Sequence, residues 1–208
     1  MGLYTTALLP KTHPDSELWI RLINRQKQLR LQALRLSPES FSSTHDREAA
    51  FSNEEWEARL QNPLAFTFVV ARRSDGLSKI EHQRDALVED DWVGFGVLFA
   101  LMGDGKDASN GSGSDNKDVI EFSIFGLYIV PSERKLGLGR KLIEAMIEHG
   151  MTLAKERGAS AAVFKLSVAS PNARAQRLYE KLGFRIVTNA GTEVDGMGVV
   201  AMQLKRSV

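Results

Sequence analysis

The chain has 208 residues, with 27 Lys and Arg against 26 Asp and Glu, a formal net charge of +1, 43% hydrophobic residues and no cysteine. That balance excludes wholesale disorder, a disulfide framework, a thiolate metal site and a cysteine nucleophile, and it leaves no broad electrostatic footprint for nucleic acid. No apolar run reaches the ~18 residues of a membrane span and the start lacks a signal-peptide pattern, so the expectation is a soluble cytoplasmic protein forming a single domain over residues 1–208.

Met1-Gly2-Leu3-Tyr4-Thr5-Thr6 fits the loose myristoylation pattern at Gly2. It is read instead as an unmodified first strand, because one acyl chain anchors weakly and no polybasic patch follows. Asp15 to about Leu36 reads as a helix capped by Asp15 or Ser16, with Trp19, Leu22, Ile23, Gln26, Leu29, Ala33 and Leu36 on one mostly apolar stripe. Its Arg21, Arg25, Lys27, Arg30 and Arg35 read as a solvated face before an anion site. Ser37–Thr44 is a loop by composition. Asn53 caps a shorter helix, Glu54 to about Gln61, with glutamates near its positive end.

From Ala65 the period becomes two. Ala65–Ala71 and Trp92–Met102 read as strands, with a polar surface loop, Arg73–Asp91, between them. Gly103–Asp118, rich in Gly, Ser, Asp and Asn, reads as a flexible hairpin insertion that cannot offset its ordering entropy. Val119–Val130 is apolar nearly throughout, as a buried central strand would be, and Pro131 ends it. A helix follows from about Leu138 to Arg157, then a strand, Ala162–Val168, and a third strong helix with Ser170 as cap, Pro171 at its start and Gly183 at its end. Phe184–Thr188 and Val199–Leu204 are the closing strands, with Asp195-Gly196 a turn candidate. The order α, α, β, β, β, α, β, α, β, β makes the strands at 119–130 and 162–168 parallel neighbours. Hairpins elsewhere complete a mixed α/β sheet with helices on its faces.

The chemistry concentrates in Leu127-Tyr128-Ile129-Val130-Pro131-Ser132-Glu133-Arg134-Lys135-Leu136-Gly137-Leu138-Gly139-Arg140-Lys141-Leu142. A central strand passes through a short loop into a helix, which aims backbone N–H groups at one spot at the positive end of a helix dipole. Gly137 and Gly139 remove side chains that would hold a bulky anion away, and Arg134, Lys135, Arg140 and Lys141 add positive charge. The site suits a pyrophosphate. The competing reading is a plain strand-to-helix turn whose glycines only permit packing. A nicotinamide-dinucleotide fold wants three spaced glycines and an acid ending the next strand, which ends instead in Leu166-Ser167-Val168. Downstream, Asn172, Ala175 and Tyr179 fall on one helical face, with Asn172 and Tyr179 about 10 Å apart along the axis.

Together, Arg134-x-x-Gly137-x-Gly139 and Asn172 through Phe184, with Leu178-Tyr179-x-Lys181-x-Gly183-Phe184, resemble the two cofactor motifs of the GNAT superfamily of N-acetyltransferases. The resemblance is strongest over residues 119–186 and extends more faintly to Arg30 through Leu60, where Ala33–Phe41 is similar to a segment common in bacterial-type members. It implies acetyl-CoA held where the parallel strands splay apart. Pantetheine would lie on the backbone at Leu127, Tyr128 and Ile129. The pyrophosphate would lie on the amides of Arg134, Lys135, Leu136, Gly137, Leu138, Gly139 and Arg140. Asn172 would contact pantetheine or hold its helix in place.

The implied reaction is direct attack of a primary amine on the thioester in a ternary complex. A backbone N–H near Ile129 is the implied oxyanion donor and Tyr179 the implied general acid; the other reading of Tyr179 is a core residue. Many relatives carry a glutamate at the position of Ser123. Glu121, two residues earlier on the same strand face, is then a candidate base, direct or through water, or a plain solvent-facing residue. His149 reads as structural, and the scattered His13, His45 and His82 show no metal spacing. The acceptor is expected to be an amine on a small molecule, peptide or protein, bound by the first helices, the Ser37–Thr44 loop and the last strands, with neither nucleic acid nor membrane as partner. A monomer and a homodimer are both left open. The alternative, motivated by Ser123, is a non-catalytic acyl-CoA sensor or assembly module of the same fold.

Overall fold

The computed structural model describes residues 4–73, 87–101, 118–187, 193–194 and 197–208. They form two compact units, residues 1–97 with 126–145 and residues 98–125 with 146–208. Strand order is β1-β2-β3-β4-β5-β8-β6, with β7 paired to β8.

In the first unit β1 (Tyr4–Leu8) pairs antiparallel with β2 (Ala65–Arg72). This is the first strand read at the N-terminus, which the expected element order, opening on a helix, leaves out. β1 is short and its alternation weak, and its pairing with β2, from Tyr4↔Arg72 to Leu8↔Phe68, is what makes it a strand. Helix α1 (Ser16–Leu36) begins at Asp15, whose carboxylate accepts the N–H groups of Glu17 and Leu18. The expected loop after it holds a 3-10 turn, Pro38–Ser40, and a five-residue helix α2 (His45–Ala49) capped by Thr44. Ser52, not Asn53, caps α3 (Asn53–Gln61), in a reciprocal capping box with Glu55. Trp19, Leu22, Leu29 and Ala33 of α1 join Trp56 and Leu60 of α3, Val69 and Ala71 of β2, and Phe95 of β3 (Asp91–Leu101) in one core.

Leu87 and Val88 are buried in that core too, although they fall within the expected polar loop. Arg25 explains the placement. Its guanidinium donates to the carbonyls of Val88 and Asp90 and lies over the Trp92 ring, so this segment is stitched to α1. Residues 74–86, most of the expected surface loop, lie outside the described residues, as do residues 103–117 of the expected hairpin insertion and the Asp195-Gly196 turn.

Strand β4 (Val119–Ile129) supplies residues to both units. It is not the doubly buried strand that its composition suggests: burial alternates, and Phe125 is 49% exposed beside Phe99. Helix α4 runs Leu138–Glu156.

In the second unit β4 pairs in parallel with β5 (Ala161–Ala169), and β5 pairs antiparallel along its whole length with β8 (Met197–Ser207). Phe122 and Phe164 stack at 5.2 Å. Gly150 of α4 lies over them, where a Cβ would come within 2.5 Å of the Phe164 ring. Helix α5 (Ala173–Lys181) ends beside β6 (Arg185–Ile186), and Tyr179, Leu182 and Phe184 are buried. Of the expected strand Phe184–Thr188, Arg185–Ile186 pairs with β8 and Val187 donates to the Ala201 carbonyl, while Thr188 lies outside the described residues; β7 (Glu193–Val194) pairs with the start of β8.

Candidate acyl-CoA site

The parallel pairing of β4 and β5 runs from Val119↔Ala161 to Ser123↔Lys165 and ends there, although β4 continues to Ile129 and β5 to Ala169. Gly126 then takes a left-handed φ of +68° inside β4, a conformation only glycine adopts without strain. Further along, the Val130 N–H donates to the Val93 carbonyl on β3. Strand alternation therefore turns the N–H and C=O groups of Leu127 and Ile129 to the opposite edge.

The sequence singles out neither Gly126 nor Gly94. A Cβ on Gly94 would sit 2.4 Å from the Ile129 side chain and 2.8 Å from the Tyr128 carbonyl, so glycine is what lets β3 approach the facing edge of β4. A glycine inside an apolar strand run is the signal for such a position.

After β4 a 3-10 turn, Pro131–Glu133, leads into an exposed loop, Arg134–Gly137, and then α4. Lys135 has φ +71° and Gly137 φ +77°. Among the described residues Lys135 is the only non-glycine with positive φ, and in front of Gly137 a Cβ would meet no atom within 4 Å. The loop thus offers an open concavity ahead of a helix N-terminus. Arg140 pairs with Glu144 one turn on, at 2.8 Å.

Arg134 does not reach into this concavity. Its Nε donates to the Ile129 carbonyl at 2.9 Å, and its terminal nitrogen donates to Ser37 Oγ, at the buried C-cap of α1, at 3.0 Å. The Tyr128 ring lies under the Arg134 guanidinium and against Phe41 and Phe95, so Tyr128 can offer a ligand only its backbone. Burial pushes its hydroxyl upward in pKa, against the Arg134 charge.

Glu133, which the sequence reading passes over, is buried and bound by Tyr4 and Arg72. No local pattern announces contacts spanning 129 and 61 positions. Beside the loop, a cavity of about 660 Å³ is bordered by Arg25, Gln28, Gln32, Arg72, Trp92 and Glu133.

In the second unit, Asn172 is the N-cap of α5, its Oδ1 accepting the Ala175 N–H at 3.1 Å. Ser170 and Pro171 precede that cap rather than forming it, because Asn172 is the residue whose side chain meets the free N–H. Tyr179 packs on Phe184 with ring centroids 6.0 Å apart, and burial raises its hydroxyl to about 12. Glu121 forms a 2.7 Å ion pair with Lys165 on β5, both carrying about half of their side-chain surface exposed. Ser123 sits on the same β4 face, at the last paired position. Among the described residues no group of three or more His, Cys, Asp or Glu could hold a metal, and no helix is long and apolar enough to cross a membrane.

A search of curated proteins finds no match. In structure the chain is similar to Arabidopsis thaliana NAA60 in complex with acetyl-CoA, at 15% identity and TM-score 0.59, with 99% of this chain and 99% of that one covered. It is also similar to the ribosomal-protein-S18-alanine N-acetyltransferase from Escherichia coli, at 18% identity and TM-score 0.52, covering 99% and 96%. A GNAT-family acetyltransferase from Streptococcus pneumoniae gives 18% identity and TM-score 0.55, covering 99% and 100%. These likenesses speak to the fold. The acetyltransferase (GNAT) family model matches residues 31–184, most of the sequence and all of the strand, loop and helix described above, so the chain belongs to the GNAT acetyltransferase family.

Proposed function

We propose that the protein is an N-acetyltransferase that moves the acetyl group of acetyl-CoA to a primary amine by direct attack in a ternary complex. The observation that carries this reading is the open loop at Lys135–Gly137, where left-handed residues and a helix N-terminus offer amides to a diphosphate. Acetyl-CoA supplies the activated acyl group. The backbone of Leu127 is available to the amides of pantetheine, while the Ile129 carbonyl accepts the Arg134 Nε.

Three demands of the reaction fall on the chain's own groups. The amine must arrive neutral, the carbonyl oxygen needs a donor as charge builds on it, and the departing thiolate needs a proton. The Ile129 N–H suits the second demand. Tyr179 suits the third, because with a pKa near 12 it stays protonated throughout the working range. Glu121 is the proposed base. Its side chain accepts from Lys165 at 2.7 Å, and Ser123 follows two residues on along the same strand face, so the proposed proton transfer runs to Glu121 directly or through water with Ser123 beside it. Asn172 acts by fixing the start of α5, the helix that carries Tyr179. The acceptor is an amine of a small molecule, peptide or protein, and the setting is the cytoplasm.

The test is incubation with acetyl-CoA and a panel of amines, with release of free thiol as the readout. Thiol release that depends on the amine is expected. Tight CoA binding without turnover across a broad panel would replace the enzyme by an acyl-CoA sensor, and no CoA binding would end both.

A further inference from the structure

The anion loop is held by residues outside the motif that identifies it. Glu133, the residue before the loop, is 8% exposed. Its Oε2 accepts the Tyr4 hydroxyl of β1 at 2.5 Å, and its Oε1 accepts the Arg72 guanidinium of β2 at 2.6 Å. Arg72 donates in turn to Asp91 at the start of β3, at 2.9 Å. Two strands thus meet on one carboxylate, and a third joins through Arg72. The next residue, Arg134, is pinned to the end of β4 and to the C-cap of α1. Immediately after these two anchored residues, Lys135 takes its left-handed conformation.

A side-chain-bearing residue adopts that conformation only where its surroundings over-determine it, and such strain collects at ligand clamps. Nothing on Lys135 itself supplies the restraint: its side chain is exposed and has no hydrogen bond or ion pair among the described residues. The restraint comes from the two residues before it. A carboxylate is an unexpected choice one residue ahead of an anion site. Here Tyr4 and Arg72 occupy both of its oxygens and bind it facing the sheet.

We propose that Glu133 is a positioning residue for the cosubstrate's diphosphate. Through Tyr4 and the Arg72–Asp91 pair it fixes the take-off of the loop, and so the direction in which the amides of Lys135 to Gly137 point. Its effect reaches the ligand only through the loop. The proposal rests on the acetyl-CoA reading above.

The experiment compares two donors, acetyl-CoA and acetyl-pantetheine, which lacks the diphosphate, in the wild type, Glu133→Gln and Tyr4→Phe. Glu133→Gln keeps the side chain's shape and removes its charge toward Arg72. Tyr4→Phe removes one hydrogen bond at a half-buried position and covers the case in which the first variant folds poorly. The readout is the ratio of kcat/KM for acetyl-CoA to that for acetyl-pantetheine. This ratio should fall at least tenfold in Glu133→Gln and by a smaller factor in Tyr4→Phe, through KM for acetyl-CoA.

A merely structural role would lower both donors together with the melting temperature and leave the ratio unmoved, which would overturn the proposal. A ratio equal to the wild type's in both well-folded variants would overturn it too, leaving the acetyltransferase reading intact. A wild type that does not bind CoA would overturn both.

Discussion

At Tyr179 a packing role and the proposed catalytic role fall on one side chain. It is 8% exposed and its ring lies against Phe184, so the core reading and the acid reading describe the same side chain. Burial disfavours the phenolate, which raises the pKa to about 12. In the proposed role the acid form is the active one, so its contribution is lost only as pH rises toward that value. The alkaline side of the kcat profile should stay flat up to about pH 10. Tyr179→Phe keeps the ring and removes the proton, so kcat should fall by ~10²-fold or more at nearly unchanged melting temperature. A rate within twofold of wild type would make Tyr179 a core residue only.

If Glu121 is the proposed base, Glu121→Gln should lower kcat/KM by ~10²-fold or more. That variant also loses the 2.7 Å ion pair with Lys165, and the two effects must be separated. Lys165→Met removes the pair and keeps the Glu121 side chain. A rate that falls in Glu121→Gln and holds in Lys165→Met assigns the effect to Glu121 itself. A rate unchanged in Glu121→Gln places the base elsewhere.

At the scale of elements, close approach decides what the sequence could disclose. Gly150 sits in the middle of α4, where alanine would gain up to about 1 kcal/mol of helix propensity. The alanine methyl would instead press into the Phe164 ring at 2.5 Å, and that ring cannot swing away because it is stacked on Phe122. Overpacking costs about 1–3 kcal/mol. Gly150→Ala should therefore lower the melting temperature by a few degrees, and Phe164→Leu in the same chain should recover part of it. A stabilised Gly150→Ala would mean that α4 and β5 shift apart freely.

Helices α1 and α4 are legible from their apolar stripes, and the loop Arg134–Gly137 is legible because its glycines fall between a strand and a helix. Helix α2 is not legible. Its five residues, His45–Ala49, carry no stripe, and its anchor is Glu48, which is bound by Arg30 and Arg59 from helices read separately. The Tyr4–Glu133–Arg72 cluster escapes for the same reason, since it is assembled by sheet order and not by spacing.

At the scale of the whole molecule, acid stability should turn on that same Glu48. The carboxylate is 1% exposed and sits among α1, α2 and α3 of the first unit. Arg30 binds it with two nitrogens, at 2.6 and 3.0 Å, and Arg59 with one, at 2.9 Å. Burial by itself pushes Glu48 up. The Arg30 hydrogen bonds and charge, with Ser43 and Arg59, outweigh burial and hold the pKa below its ordinary value. Removing the negative partner leaves two guanidiniums facing an uncharged amide, so Glu48→Gln should cost about 3 kcal/mol at neutral pH.

A depressed pKa in the folded state means that the stabilisation is complete above the unfolded value of about 4.3. Below that value the unfolded chain takes up a proton that folded Glu48 still refuses, and the stabilisation drains away as pH falls through the folded pKa. Glutamine has no such proton to take up. The gap in melting temperature between wild type and Glu48→Gln should therefore be constant from pH 7 to about 5 and narrow steadily toward pH 3. The cluster is buried and bidentate, so the gap should also resist added salt better than an exposed ion pair such as Arg21–Glu89 would. A gap that keeps its full size at pH 3 would show that Glu48 is held by shape and packing, and that the two arginines contribute little to its ionisation.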